Sequence, residues 1–166
     1  QLGAGSEFRV ILPLDAVSEG ELAPGRVESA SAGAIGFSGA VPATVLVAED
    51  NDLNRTAVGD YLANCGYRVL MAANGLEAIA LAAEQHPNLI LMDVQMPVLD
   101  GLEAVRRLRA EPGTRAIPVI MLTALAMVGD RERCLAAGAD AYLAKPITLR
   151  ALTEQIEALL AAHPGV

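Results

Sequence analysis

The feature that most restricts this chain is the run Leu89-Ile90-Leu91-Met92, followed at once by Asp93 and, four residues on, by Pro97. A short, continuously apolar run of this kind reads as a strand buried on both faces, as in a parallel sheet covered by helices. Asp93 then stands where the strand leaves the core. In open α/β sheets the carboxyl ends of the strands are where ligands bind. An isolated aspartate there can equally be a helix cap or a turn residue. The rest of the chain has to decide between the two.

From Ala43 onward the pattern is regular. Thr44 to Ala48 reads as a first buried strand ending in Glu49-Asp50-Asn51, and Asp52 to Asn64 as a helix. Val58, Leu62 and Cys65 face inward on that helix, and Gly66 stops it. Tyr67 to Ala72 is a second strand, and Leu76 to Gln85 a second helix closed by His86-Pro87. After the strand ending in Asp93, Asp100-Gly101 opens a helix to about Ala110, with Arg106, Arg107 and Arg109 expected on its exposed side. Ile117 to Leu122 is a fourth strand leading to Thr123, and a short helix runs from about Val128 to Ala137. Asp140 to Ala144 is a fifth strand entering Lys145-Pro146, and Thr148 caps a last helix to about Ala162. Strands alternating with helices in this way imply a doubly wound parallel sheet with right-handed crossovers. The expectation is a flavodoxin-like (βα)5 fold with strand order 2-1-3-4-5, which sets Asp50 beside Asp93.

Residues 1 to 42 differ. The stretch from Glu7 to Leu14 resembles a lone strand, and 16–42 is rich in Gly, Ala, Ser and Pro, the composition of a flexible linker. No regular structure is expected over 16–41, and the strand at 7–14 should be loose or borrow a neighbouring sheet edge.

Composition narrows the function. A net charge of −8 argues against nucleic-acid binding, which needs clustered cations. No apolar run is long enough to span a bilayer and no signal peptide opens the chain, so a cytoplasmic protein without direct membrane contact is expected. Cys65 and Cys134 have no metal-type spacing and are expected as reduced thiols. Of the 12 basic residues every one is Arg except Lys145. A compact ammonium on a flexible stem does what a planar guanidinium cannot, so Lys145 is a site candidate in its own right.

The polar residues at the strand ends form one constellation: Glu49 and Asp50, Asp93, Thr123 and Lys145. Carboxylates gathered on one sheet edge repel unless cations compensate. Lys145 supplies one charge, and a hard divalent ion such as Mg2+ suits the oxygen ligands. Such a site can perform phosphoryl transfer, with a carboxylate as nucleophile and an ammonium, a hydroxyl and a metal neutralising the transferred oxygens. Between the two aspartates, Asp93 is the better nucleophile. It lies between the metal side, where Asp50 adjoins Glu49, and the side of Thr123 and Lys145.

Val45-Leu46-Val47-Ala48-Glu49-Asp50-Asn51, Met92-Asp93-Val94-Gln95-Met96-Pro97 with Asp100-Gly101, Leu122-Thr123-Ala124, and Ala137 to Pro146 match, in order and spacing, the receiver domain of two-component signalling. Residues 43 to 163 resemble that family. The resemblance implies Asp93 as phosphoacceptor, with Glu49, Asp50, Asp93 and the main-chain carbonyl of Gln95 holding Mg2+, or Mn2+ as its substitute. It implies Thr123 and Lys145 on the phosphoryl group, Thr123 and Tyr142 as switch residues, and a cis Lys145-Pro146 peptide. Asn54-Arg55 and Gly129-Asp130-Arg131-Glu132 before Cys134-Leu135 resemble receivers fused to histidine kinases, and residues 1–15 resemble the last strand of a kinase ATP-binding domain. On that reading the partners are a histidine kinase core or a histidine phosphotransfer protein. The chain would be a C-terminal piece of a hybrid sensor kinase, without its ATP site, and a monomer or weak dimer.

Two other classes stay open. An aspartyl-phosphate hydrolase usually has a second acid two residues after its nucleophile, where Gln95 stands here. A degenerate receiver serving only for docking should have lost the acceptor or the lysine, and both are present. No DNA-binding element is seen after residue 163. His86 and His163 are expected as surface residues, not phosphotransfer histidines.

Overall fold

A computed structural model describes residues 42–124 and 129–164. The expected strand and linker before residue 42 lie outside the described residues, as do Leu125 and Val128. Ten elements alternate along the chain: β1 Thr44–Ala48, α1 Asp52–Asn64, β2 Arg68–Ala72, α2 Gly75–Gln85, β3 Leu89–Asp93, α3 Gly101–Ala110, β4 Val119–Thr123, α4 Asp130–Ala137, β5 Ala141–Ala144 and α5 Leu149–Ala162. The five strands are parallel and ordered β2-β1-β3-β4-β5, as expected.

Side chains alternate across a strand, and here both faces are apolar. Leu46, Ile90, Met92, Val119 and Met121 pack against Ala78 and Ala82 of α2, Val105 and Leu108 of α3 and Cys134 of α4. Val45, Val47, Leu89, Leu91, Ile120 and Leu122 pack against Val58 and Leu62 of α1 and Leu152 and Ile156 of α5. β1, β3 and β4 are buried at every position, whereas the edge strands β2 and β5 are partly exposed. The continuous apolar run of β3 is thus what a central position between two helical layers demands.

Helix starts are fixed by short polar side chains. Asn51, Asn74, Asp100 and Thr148 each accept from a backbone N–H of the first turn, for α1, α2, α3 and α5 respectively. These caps remove one alternative for Asp93: α3 is capped by Asp100, so Asp93 does not cap it. Gly101 lies where α3 returns to the sheet, and a Cβ there would run into the main-chain carbonyl of Asp93.

Two expectations need correction. Arg109 is not on the exposed side of α3. Its guanidinium, 22% exposed, folds back to donate to the carbonyls of Gly138 (2.8 Å), Arg115 (3.0 Å) and Ile117 (2.8 Å), and pairs with Asp140 at 2.8 Å. Arg106 and Arg107 do face solvent, each paired with Glu103. His86 is exposed as expected, but His163 is half-buried and its Nδ1 lies 3.0 Å from the Leu159 carbonyl at the end of α5. Both cysteines are free. Lys145-Pro146 is cis. Among the described residues no helix is long and apolar enough to cross a membrane.

Candidate functional site

The alternation that builds the core also builds the site. Carried one residue past its end, the α1/α5 face of β1 leads from Val45 and Val47 to Glu49. That of β3 leads from Leu89 and Leu91 to the strand's own last residue, Asp93, and that of β5, again one residue past its end, from Ala141 and Leu143 to Lys145. Thr123 ends β4 on the opposite face, after Val119 and Met121. Glu49, Asp93 and Thr123 are buried, at 4, 5 and 2% exposure, whereas Asp50 is exposed at the rim.

Lys145 lies between two of the acids. Its Nζ donates to Glu49 Oε2 and Asp93 Oδ2, both at 2.6 Å. The ammonium therefore reaches past Asp93 to the Glu49 side, joining the two sides that the sequence reading kept apart. The Lys145 main-chain N–H donates to the Thr123 carbonyl at 2.7 Å, which ties the loop after β5 to the end of β4. The other oxygen of Asp93 accepts from the backbone N–H of Gln95 at 3.2 Å.

The electrostatics follow from burial. Burial pushes the Asp93 carboxyl from 3.8 to about 6, with Glu49 adding to the rise, although the Lys145 ammonium and the Gln95 N–H pull it down. Burial alone would lower Lys145, but its two carboxylate partners override that and hold the ammonium above its ordinary value. One cation is thus too little for this set of acids. Glu49, Asp50 and Asp93 each offer an oxygen, all within 4.8 Å of one another. A hard, oxygen-seeking dication fits that donor set.

A cavity of about 560 Å3 adjoins the cluster, bounded by Asp50, by Gln95 to Pro97 after β3, by Thr123, and by Asp130, Arg133 and Cys134 of α4. Tyr142 is half-buried beside the core on the α4 side, paired in register with Met121, and the Arg131 guanidinium lies 6.0 Å from its ring centroid. The structure therefore brings together Glu49, Asp50, Asp93 and Lys145, with Thr123 on the adjoining wall, and leaves Tyr142 inside β5.

Sequence reasoning gave no role to Asn54 and Arg55. Asn54 Nδ2 donates to Glu49 Oε1 at 3.3 Å, and Arg55 Nη1 to the Glu49 main-chain carbonyl at 2.7 Å. The signal was present: Asn54 occupies the inward stripe of α1 with Val58 and Leu62, where an apolar residue is the default.

Comparisons with known proteins agree with this geometry. The family model of the response regulator receiver domain matches residues 45–157. The polar-differentiation response regulator DivK of Brucella anthropi is 43% identical over 120 residues, 72% of this chain and 98% of that protein. The receiver domain of a sensor histidine kinase from Pseudomonas aeruginosa PAO1, solved with a magnesium ion in its active-site cleft, is 41% identical. It superimposes with a TM-score of 0.69 over 73% of this chain and 99% of its own. The chemotaxis protein CheY4 of Vibrio cholerae gives 32% identity and a TM-score of 0.69 over 72% of this chain and all of that one.

Proposed function

The chain belongs to the response regulator receiver domain family, a phosphoacceptor module of two-component signalling, and from that premise we propose the chemistry of its site: Asp93 takes the phosphoryl group. The observation that carries the assignment is the placement of its carboxylate. Asp93 shares the Lys145 ammonium with Glu49, lies within ligand distance of Glu49 and Asp50, and ends the strand whose next residues, Val94 to Pro97, line the open cavity. Asp50 is exposed at the rim and Glu49 is tied to α1 through Asn54 as well as to Lys145, whereas Asp93 ends β3, between β1 with the other two acids and β4 with Thr123. Asp93 is the one acid of the three set for attack.

The donor is a phosphohistidine on a kinase core or phosphotransfer protein, a reading supported by the likeness to a sensor kinase's receiver domain. An Asp93 oxygen attacks phosphorus in line with the imidazole nitrogen. The P–N bond breaks and its electron pair stays on the ring. Glu49, Asp50, Asp93 and the Gln95 carbonyl would hold Mg2+, which supplies charge neutralisation to the transferred oxygens when bound. Lys145, released from one of its carboxylate partners, pairs with a phosphoryl oxygen, and the Thr123 hydroxyl serves another from the cavity wall. Tyr142 is the switch residue that responds from β5.

Incubation with acetyl phosphate, with and without Mg2+, followed by borohydride reduction and peptide mapping, tests the assignment. The expected result is Mg2+-dependent conversion of Asp93 alone to homoserine. Modification at Asp50, or none anywhere, contradicts it.

A further inference from the structure

Asn54 is an amide in a place that favours a hydrocarbon. It sits in the first turn of α1, is 6% exposed, and continues the stripe of Val58 and Leu62. Its side chain does not cap the helix, since Asn51 does that. A buried amide is costly unless hydrogen-bonded, and its partner is Glu49 Oε1 at 3.3 Å. The other oxygen, Oε2, is held by Lys145 at 2.6 Å. Behind it, Arg55 clamps the Glu49 carbonyl at 2.7 Å and is itself tied to Asp52.

We propose that Asn54 is a positioning residue for the acid cluster: its amide locks the rotation of the Glu49 carboxylate. The proposal rests on the reading of this site as a metal-dependent phosphoacceptor. A carboxylate with one fixed donor can turn about its Cγ–Cδ bond. With a donor on each oxygen, from α1 and from the loop after β5, it cannot. The free lone pairs of Glu49 then point in one direction, towards the space shared with Asp50 and Asp93, and Lys145 is held at a fixed distance from Asp93. Removing the amide leaves the acids and the nucleophile in place but loosens the cation site. Metal affinity should fall, while the chemistry at saturating metal should survive. Partners of this kind around metal ligands typically matter by 10- to 100-fold in affinity.

The test compares the 166-residue chain with its Asn54→Leu variant, which has similar volume and no donor. Calorimetric titration should show Mg2+ binding weakened about tenfold, with the rate of labelling by acetyl phosphate recovering at saturating Mg2+. The metal-free melting temperature should not fall. In the wild-type protein, the Asn54 side-chain amide protons should be protected from exchange without metal and should shift on Mg2+ addition, a readout that needs no variant. Unchanged Mg2+ affinity in a folded Asn54→Leu protein, labelling that saturating Mg2+ cannot restore, or a freely exchanging Asn54 amide each overturns the proposal. If the wild type itself takes no label, the phosphoacceptor reading fails instead, and the Mg2+ affinities and amide exchange still decide the role of Asn54.

Discussion

Asp93 carries a charge that its surroundings oppose. An acid whose pKa rises on folding, here from 3.8 to about 6, binds its proton more tightly in the native state. Native stability then falls as pH climbs through that interval and stays reduced above it. Asp93→Asn removes this penalty. Without metal, the variant is expected to match the wild type near pH 4 and to exceed it at pH 7 by up to about 3 kcal/mol. Mg2+ should stabilise the wild type and shrink that gap. Urea unfolding at the two pH values, with and without Mg2+, measures it; a wild type that gains stability over Asp93→Asn as pH rises would contradict the burial argument. Much at this scale was legible in the sequence. Asp93 interrupts an apolar run, and Lys145 is a lysine in a chain that otherwise uses arginine. Asn54 was not legible as a positioning group, because one amide on an apolar stripe does not reveal which distant atom it meets.

Elements were legible to within a residue or two, and the differences have local causes. β2 starts at Arg68 because the Tyr67 N–H is spent on the Leu62 carbonyl, closing α1. β4 starts at Val119 because Pro118 has no N–H for the ladder, although its carbonyl accepts from Ile90. The misplaced Arg109 is of another kind. Helical spacing sets it on the core side, four residues after Val105 and seven after Leu102, and its long side chain runs over the end of α3 to tie the loops before β4 and β5. Gly138 makes room: its φ is 103°, and a Cβ would approach Arg109 Cγ to 2.8 Å. Arg109→Ala strips donors from three carbonyls at the end of the sheet opposite the site. A loss of about 2 kcal/mol is expected in urea unfolding, with the Mg2+ dependence of labelling unchanged. A variant as stable as wild type would show that water replaces the guanidinium freely.

For the whole molecule, one sheet edge gathers the ends of four strands, and the doubly wound order explains why β1 and β3 lie adjacent there. That order was legible because a parallel sheet of this length with right-handed crossovers leaves few alternatives. The layout also bears on lifetime. Hydrolysis of an acyl phosphate needs a water in line with the phosphoryl group. Gln95 is exposed beside the Asp93 position and cannot act as a general base. The other expected neighbour, Leu125, lies outside the described residues. A phosphoaspartate that persists for many minutes is expected in the isolated protein, followed by loss of acid-stable label, and decay within seconds would contradict it. The most direct test of the central claim is transfer from a phosphohistidine donor, in Mg2+, to the wild type and to Asp93→Asn. The account requires an acid-stable, base-labile label on the wild type and none on the variant, with both proteins folded. Label at wild-type level on Asp93→Asn would show that the phosphoryl group goes elsewhere.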